Sequence, residues 1–157
     1  MEIKNVVVVG AGMMGNSLAQ VFASDPGLNV KLKTRPPKED RYEPIDYNLD
    51  VMIYRGAATE AEKKEILSRI QFVTDEAEAY TDADFVIECY PEVMESKQDL
   101  FALVEQYCDD ECILATNTSV MSPPRSAKSA STRSASWAPI SGTPATSSRW
   151  WRSSRVT

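Results

Sequence analysis

Six residues, Gly10-Ala11-Gly12-Met13-Met14-Gly15, stand between four consecutive valines (Val6 to Val9) and a stretch of helical periodicity. Glycines at the first, third and sixth places of a strand-to-helix turn allow a phosphate to reach the backbone. Gly10 permits the tight turn, Gly12 lacks the Cβ that would hold a pyrophosphate away, and Gly15 lets the helix close on the strand. The helix start adds N–H donors and the positive end of the helix dipole. The chemistry expected of this run, with Met13 and Met14 at the helix start, is binding of a dinucleotide pyrophosphate. A turn that serves packing alone is the competing account.

Three more groups stand where strands are expected to end. Thr34 and Arg35 follow an alternating strand. An acid at this place would select the ribose 2′-hydroxyl, whereas a hydroxyl beside a guanidinium suits a 2′-phosphate. A solvated arginine without a ligand is the plainer alternative. Tyr90-Pro91-Glu92 and then Lys97 follow a buried strand. Glu92 and Lys97, five positions apart, are not neighbours on one helix face. With Glu92 ahead of the helix they can still flank one ligand, or they are solvated helix-start charges. Asn117-Thr118-Ser119 ends a third strand and offers hydrogen-bond groups to a carbonyl or hydroxyl, or forms a simple turn.

The elements that must position these groups alternate. Residues 5–9 read as a strand buried on both faces, and residues 13–24 as a helix with Met14, Leu18, Val21 and Phe22 on one side. A second strand covers 29–34, stopped by Pro36-Pro37. A helical pair covers 47–55 and 59–70, broken at Gly56, with Thr59 and Glu62 forming a capping box. Short strands follow at 71–73 and 84–89, then a helix over 93–107 and a strand over 111–116. The order predicts an α/β fold, a doubly wound parallel sheet with ligands outside the carboxyl ends of its strands.

Composition narrows the function classes. No stretch is long and apolar enough to span a bilayer, and nothing resembles a signal peptide. Cys89, Cys108 and Cys112 follow no zinc spacing, and the chain has no histidine, so no metal site is expected. Reduced thiols fit a cytoplasmic protein. The net charge of −6 argues against nucleic acid as a partner.

The charge is not evenly spread. All 23 acidic residues precede Ser122; from Pro123 onward stand five arginines, one lysine, ten serines and the three tryptophans. Eleven basic against 23 acidic residues leave −12 on residues 1–122, and the remainder carries +6. The expected organisation is a dinucleotide-binding domain over 1–122 and a basic, disordered tail over 123–157.

The motifs together resemble a known family. Gly10-x-Gly12-x-Met14-Gly15-x-x-x-Ala19-Gln20 is followed by Asp82-Ala83-Asp84-x-Val86-Ile87-Glu88-x-x-x-Glu92. Then come Lys97-x-x-Leu100-Phe101 and Ala115-x-Asn117-Thr118-Ser119. Their order across residues 5–122, with the helical pair after the second strand, is similar to the NAD-binding domain of 3-hydroxyacyl-CoA dehydrogenases. That family oxidises the 3-hydroxyl of an acyl-CoA and passes hydride to NAD. The resemblance implies pyrophosphate contact for Gly10, Gly12 and Gly15. It implies cofactor and active-site contacts for Glu92, Lys97 and Asn117, and contact of Ser119 with the substrate oxygen. Met13, Met14, Thr34, Arg35 and Tyr90 complete the expected cofactor site. The family usually carries Asp where Thr34 stands, which leaves NADP open beside NAD.

The larger departure is in the tail. The family continues with Gly-x-His-Phe-x-Asn-Pro, whose His is the general base, and with Leu-Val-Glu-Val-Val, whose Glu orients that His. Residues 123–157 contain neither. Joining the last base of each codon to the first two of the next, Trp137 into Ala138 must read Gly and Trp150 into Trp151 must read Val. The intervening codons permit both motifs at the family's spacing. The reading is a frameshift near residues 122–124 that replaced the native continuation, including the helical domain through which the family dimerises. Such a chain is expected to bind a dinucleotide weakly without turnover. Two rivals stay open: a non-catalytic nucleotide-binding module with a basic interaction tail, and another NAD(P)-dependent hydroxyacid dehydrogenase. Lys63, Lys64 and Arg69 could meet CoA phosphates, though a solvated helix face is the plainer reading.

Overall fold

Four valines in a row leave a strand no polar face, so it must be covered on both sides. In the computed structural model, which describes residues 2–35 and 42–117, β1 (Asn5–Val9) is the middle of a five-stranded sheet. Around it run α1 (Met13–Ala23), β2 (Asn29–Lys33), α2 (Glu43–Tyr54), α3 (Glu60–Arg69) and β3 (Ile70–Val73). They are followed by α4 (Glu76–Tyr80), β4 (Phe85–Glu88), α5 (Met94–Val104) and β5 (Ile113–Thr116). Every pairing is parallel and the strand order is β3-β2-β1-β4-β5, the doubly wound arrangement expected.

Alternation along β1 divides the core. Val6 and Val8 face α1, α2 and α3, meeting Ala19, Ala23, Ile45, Leu49 and Ile66. Val7 and Val9 face the other way, against Ala79 and Tyr80 of α4 and Leu100, Phe101 and Val104 of α5. From β1 the winding runs across one side of the sheet to β2 and β3, then returns to the other side of β1 for β4 and β5. The switch point therefore lies between the carboxyl ends of β1 and β4, where an open α/β sheet leaves its ligand crevice. Asp84 fixes the opposite end: its carboxylate accepts the N–H groups of Lys4 and Asn5, each at 2.8 Å.

Local chemistry sets the boundaries, and the helices differ from expectation in three places. The Thr59–Glu62 capping box is present in both directions. α2, expected from residue 47, begins at Glu43, because Pro44 needs no N–H partner in the first turn and Glu43 and Asp46 complement the dipole there. It ends with Gly56 N–H donating to Ile53 and Ala57 N–H to Met52, the paired bonds of a Schellman cap. α4 was not anticipated; it is a single capped turn, with Asp75 accepting the Glu78 N–H. The helix expected over 93–107 closes at Val104 and continues as turns. Among the described residues, no helix is long and apolar enough to cross a membrane.

Candidate functional site

The chain leaves β1 through Gly10, whose φ is +106°, a conformation that glycine alone adopts without strain. Its N–H donates to the Lys33 carbonyl at 2.9 Å, tying the turn to the end of β2. A Cβ on Gly10 would lie 3.1 Å from the Cys89 carbonyl oxygen and 3.5 Å from the Tyr90 ring. The turn is therefore pressed against the end of β4, at the switch point. Gly12 is the N-cap of α1 and supplies no side-chain cap, and the first turn holds no acid. The leading N–H groups of a helix have no acceptor within it, so here they stay available to an anion. A Cβ on Gly12 would meet nothing within 4 Å.

These observations test the dinucleotide reading. A pyrophosphate needs open space over the turn and no competing negative charge; a Cβ on Gly12 would meet nothing within 4 Å, and the first turn of α1 carries no acid. Next to the turn, Asn16 is 4% exposed; its Nδ2 donates to the Ala11 carbonyl at 3.3 Å, while its Oδ1 is buried without a partner. Thr34 extends the β2–β3 ladder, its N–H donating to Val73 at 2.9 Å, and Arg35 is exposed just beyond. Burial, then Glu76, pushes the Tyr90 phenol above its ordinary range, while Arg35 opposes the shift. Burial also pushes the Cys89 thiol up to about 12, which keeps this neighbour of the glycine turn protonated and unreactive.

On the other side of the switch point is a buried ion pair. The Lys97 ammonium donates to Glu88 Oε1 at 2.6 Å, with Lys97 1% and Glu88 0% exposed. The Thr116 hydroxyl donates to the same oxygen, and the Tyr90 N–H donates to Glu88 Oε2 at 2.9 Å. Lys97 also reaches the Tyr90 carbonyl at 3.4 Å and Glu92 at 3.9 Å. The Asn117 N–H donates to the Glu88 carbonyl at 3.0 Å. Burying two charges is favourable only when hydrogen bonds satisfy both groups, and Glu88 is so satisfied on both oxygens.

The structure thus gathers Gly10, Gly12, Gly15, Thr34, Arg35, Tyr90, Glu92, Lys97 and Asn117 along the carboxyl edge of one sheet. Met13 and Met14 are exposed on the first turn of α1. Thr118 and Ser119 lie outside the described residues, as does the segment 123–157. Glu88 is the residue that sequence reasoning missed. Its signal was there: Glu88 falls on the core-facing alternation of Val86, and Lys97 on the apolar stripe of Leu100, Phe101 and Val104, so two charges point into one core. Lys63 and Arg69 are engaged within the fold, Lys63 with Asp46 and Asp50, Arg69 with Glu65 and the Ala23 carbonyl. Among the described residues no group of His, Cys, Asp and Glu could hold a metal.

The space over Gly12 makes one consequence measurable. Gly12→Val should lower NADH affinity by about a hundredfold or more, while the lost cap preference costs only about 1 kcal/mol. Titration by NADH fluorescence beside a thermal melt checks both; undiminished binding refutes the pyrophosphate site.

The chain matches the family model described as "3-hydroxyacyl-CoA dehydrogenase, NAD binding domain" over residues 5–137. The 3-hydroxybutyryl-CoA dehydrogenase of Clostridioides difficile is 38% identical over 119 residues, 74% of this chain and 42% of that protein. A probable 3-hydroxybutyryl-CoA dehydrogenase of Bacillus subtilis (strain 168) is 36% identical over 121 residues, 76% of this chain and 42% of that one. Among solved structures, the 3-hydroxybutyryl-CoA dehydrogenase of Escherichia coli K12 superposes with a TM-score of 0.79 at 31% identity, over 87% of this chain and 29% of that one. The chain therefore spans about two fifths of the length of these curated relatives.

Proposed function

Since the chain belongs to the 3-hydroxyacyl-CoA dehydrogenase family and carries its NAD-binding domain, we propose that the crevice between β1 and β4 holds NAD for oxidation of the 3-hydroxyl of an acyl-CoA. The observation that carries this reading is the convergence of the open, uncapped glycine turn with Tyr90, Glu92, Lys97 and Asn117 on one edge of the sheet. NAD, when bound, supplies the hydride acceptor. In the proposal, Gly10, Gly12, Gly15 and the first turn of α1, with Met13 and Met14, receive the pyrophosphate. Thr34 and Arg35 line the adenosine ribose, where the missing acid leaves room for the 2′-phosphate of NADP as well. Glu92, Lys97 and Asn117 orient the second half of the cofactor, and Asn117 and Ser119 address the substrate oxygen.

Oxidising an alcohol requires a group to accept its proton, and the 157 residues contain no histidine. The proposal therefore holds that residues 1–122 are the working dinucleotide domain and that residues 123–157 are an out-of-frame tail. This chain binds NAD and does not turn over. The free thiols of Cys89, Cys108 and Cys112 support a cytoplasmic location within this reading.

One experiment joins these points. The chain is expected to bind NADH in a fluorescence titration and to produce no NADH from NAD and 3-hydroxybutyryl-CoA above the uncatalysed rate. Measurable turnover would overturn the inactive-chain proposal, and absence of NADH binding would overturn the site. Sequencing the gene across the codons for residues 120–157 tests the frame: codons 139–143 that cannot give His-Phe-Trp-Asn in the shifted reading dispose of the frameshift.

A further inference from the structure

The buried acid at the end of β4 is hydrogen-bonded through both carboxylate oxygens and its carbonyl. Its two carboxylate oxygens receive the Lys97 ammonium, the Thr116 hydroxyl and the Tyr90 N–H, and its carbonyl receives the Asn117 N–H. These four partners come from α5, from the end of β5 and from the loop after β4. Through Lys97 the chain of charges extends to Glu92, whose side chain is 43% exposed at the crevice rim.

We propose that Glu88 is a positioning residue for the second mononucleotide half of the site: it holds Lys97, and through Lys97 the Tyr90–Glu92 loop, at the carboxyl ends of β4 and β5. The inference rests on the dinucleotide reading and adds to it a residue that need not touch the ligand. The division of the fold explains why one half is singled out. The β1–β2–β3 half carries the glycine turn and Thr34–Arg35, which serve the pyrophosphate and adenosine; β4 and β5 serve the other nucleotide. Glu88 and all its partners belong to the β4–β5 half. A well-packed apolar pair of similar volume is commonly as stable as a buried ion pair or more so. Stability alone therefore gives no reason to place a carboxylate and an ammonium in the core beside the crevice. A cation fixed at the crevice wall does.

The test compares the wild-type chain, Glu88→Gln, and Glu88→Gln/Lys97→Met by calorimetric titration with NADH and with ADP, alongside thermal melts. ADP contains the pyrophosphate and adenosine but nothing for the β4–β5 half. The single variant leaves the Lys97 ammonium without a counter-charge and is at risk of unfolding; the double variant removes both charges and should melt within a few degrees of wild type. A positioning role predicts that NADH affinity falls about tenfold or more in the double variant, while ADP affinity changes by less than about twofold. Where Glu88→Gln folds, it should show the same NADH loss, because the ammonium is no longer held. A pair that serves stability alone predicts instead that NADH binding returns together with the melting temperature. Wild-type NADH affinity in the double variant, or an equal loss for ADP and NADH, overturns the inference while leaving the dinucleotide site standing. A wild-type chain that binds no NADH overturns the dinucleotide reading and this inference with it.

Discussion

Gly15→Ala should leave little folded protein at 37 °C, although the change adds one methyl group to a helix in which alanine is the better former. The added Cβ would lie 1.7 Å from the Gly10 carbonyl oxygen and 2.9 Å from the Gly10 carbonyl carbon. Neither is the far end of a flexible side chain. Gly10 is held by its bond to Lys33, by its left-handed backbone and by the Cys89 carbonyl behind it, so the turn has nowhere to retreat. The remaining response is for α1 to lift from β1, exposing Ala19 and Ala23 and opening the core that they share with Val6 and Val8. We expect a cost above about 4 kcal/mol, in the range reserved for overpacking against fixed structure, against a total stability of about 5–15 kcal/mol. A melt followed by far-UV circular dichroism should show a midpoint lowered by about 10 °C or more. A midpoint within two or three degrees of wild type would mean that the turn is free to move. The contrast with Gly12→Val is the informative part: a Cβ at Gly15 collides with the Gly10 backbone, whereas one at Gly12 meets nothing within 4 Å.

Lys97→Met should be nearly as damaging, for an electrostatic reason. The substitution keeps the apolar volume of α5 beside Leu100 and Phe101 but leaves Glu88 fully buried with no cation. Removing one partner of a buried pair costs about 3–5 kcal/mol, because the remaining charge is not compensated. The hydrogen bonds from Thr116 and the Tyr90 N–H soften this and place the expectation at about 3 kcal/mol. The effect should be conditional. In a Glu88→Gln background the same Lys97→Met change should cost nothing and should restore stability, since it removes the ammonium that Glu88→Gln strands. Urea unfolding of the four proteins in that cycle measures the coupling directly. Equal losses in both backgrounds would show that Lys97 contributes by packing and not as a counter-ion.

The sequence made some of this architecture plain and concealed other parts, for physical reasons. Val6 to Val9 and Gly10-x-Gly12-x-x-Gly15 declared a buried parallel strand and its turn, because four β-branched residues and three spaced glycines satisfy few other backbones. Thr59 and Glu62 announced the start of α3, since each side chain serves the other's backbone. The early start of α2 was written in Pro44, a first-turn signal outside the apolar period. α4 is too short for periodicity to detect: only Ala79 and Tyr80 of its five residues reach the core. At the site, Glu92, Lys97 and Asn117 could be placed on the carboxyl edge from strand ends alone. What could not be read directly was that Lys97 faces inward to Glu88. Spacing reports which residues share a face, but a charge at the end of an apolar strand reads equally well as the point where the strand emerges into water. Only the meeting of β4 with α5 resolves that ambiguity.

The position of β1 in the sheet also bears on the order in which the molecule is made. Val6 pairs with Val30 on one side and with Phe85 on the other, so the same strand waits for one near partner and one distant partner. Closing the longer loop costs about 1 kcal/mol more in chain entropy, and it cannot close at all until β4 has been synthesised. The β1–α1–β2 unit, glycine turn included, should therefore assemble early in folding, with β1 still uncovered along the edge that β4 will occupy. During that interval Val7 and Val9 lack α4 and α5, and the β1 edge is an open template for another chain. Arrival of β4 completes the crevice and closes that edge in one event, so the step that creates the crevice is also the step that ends the exposure of the nascent sheet.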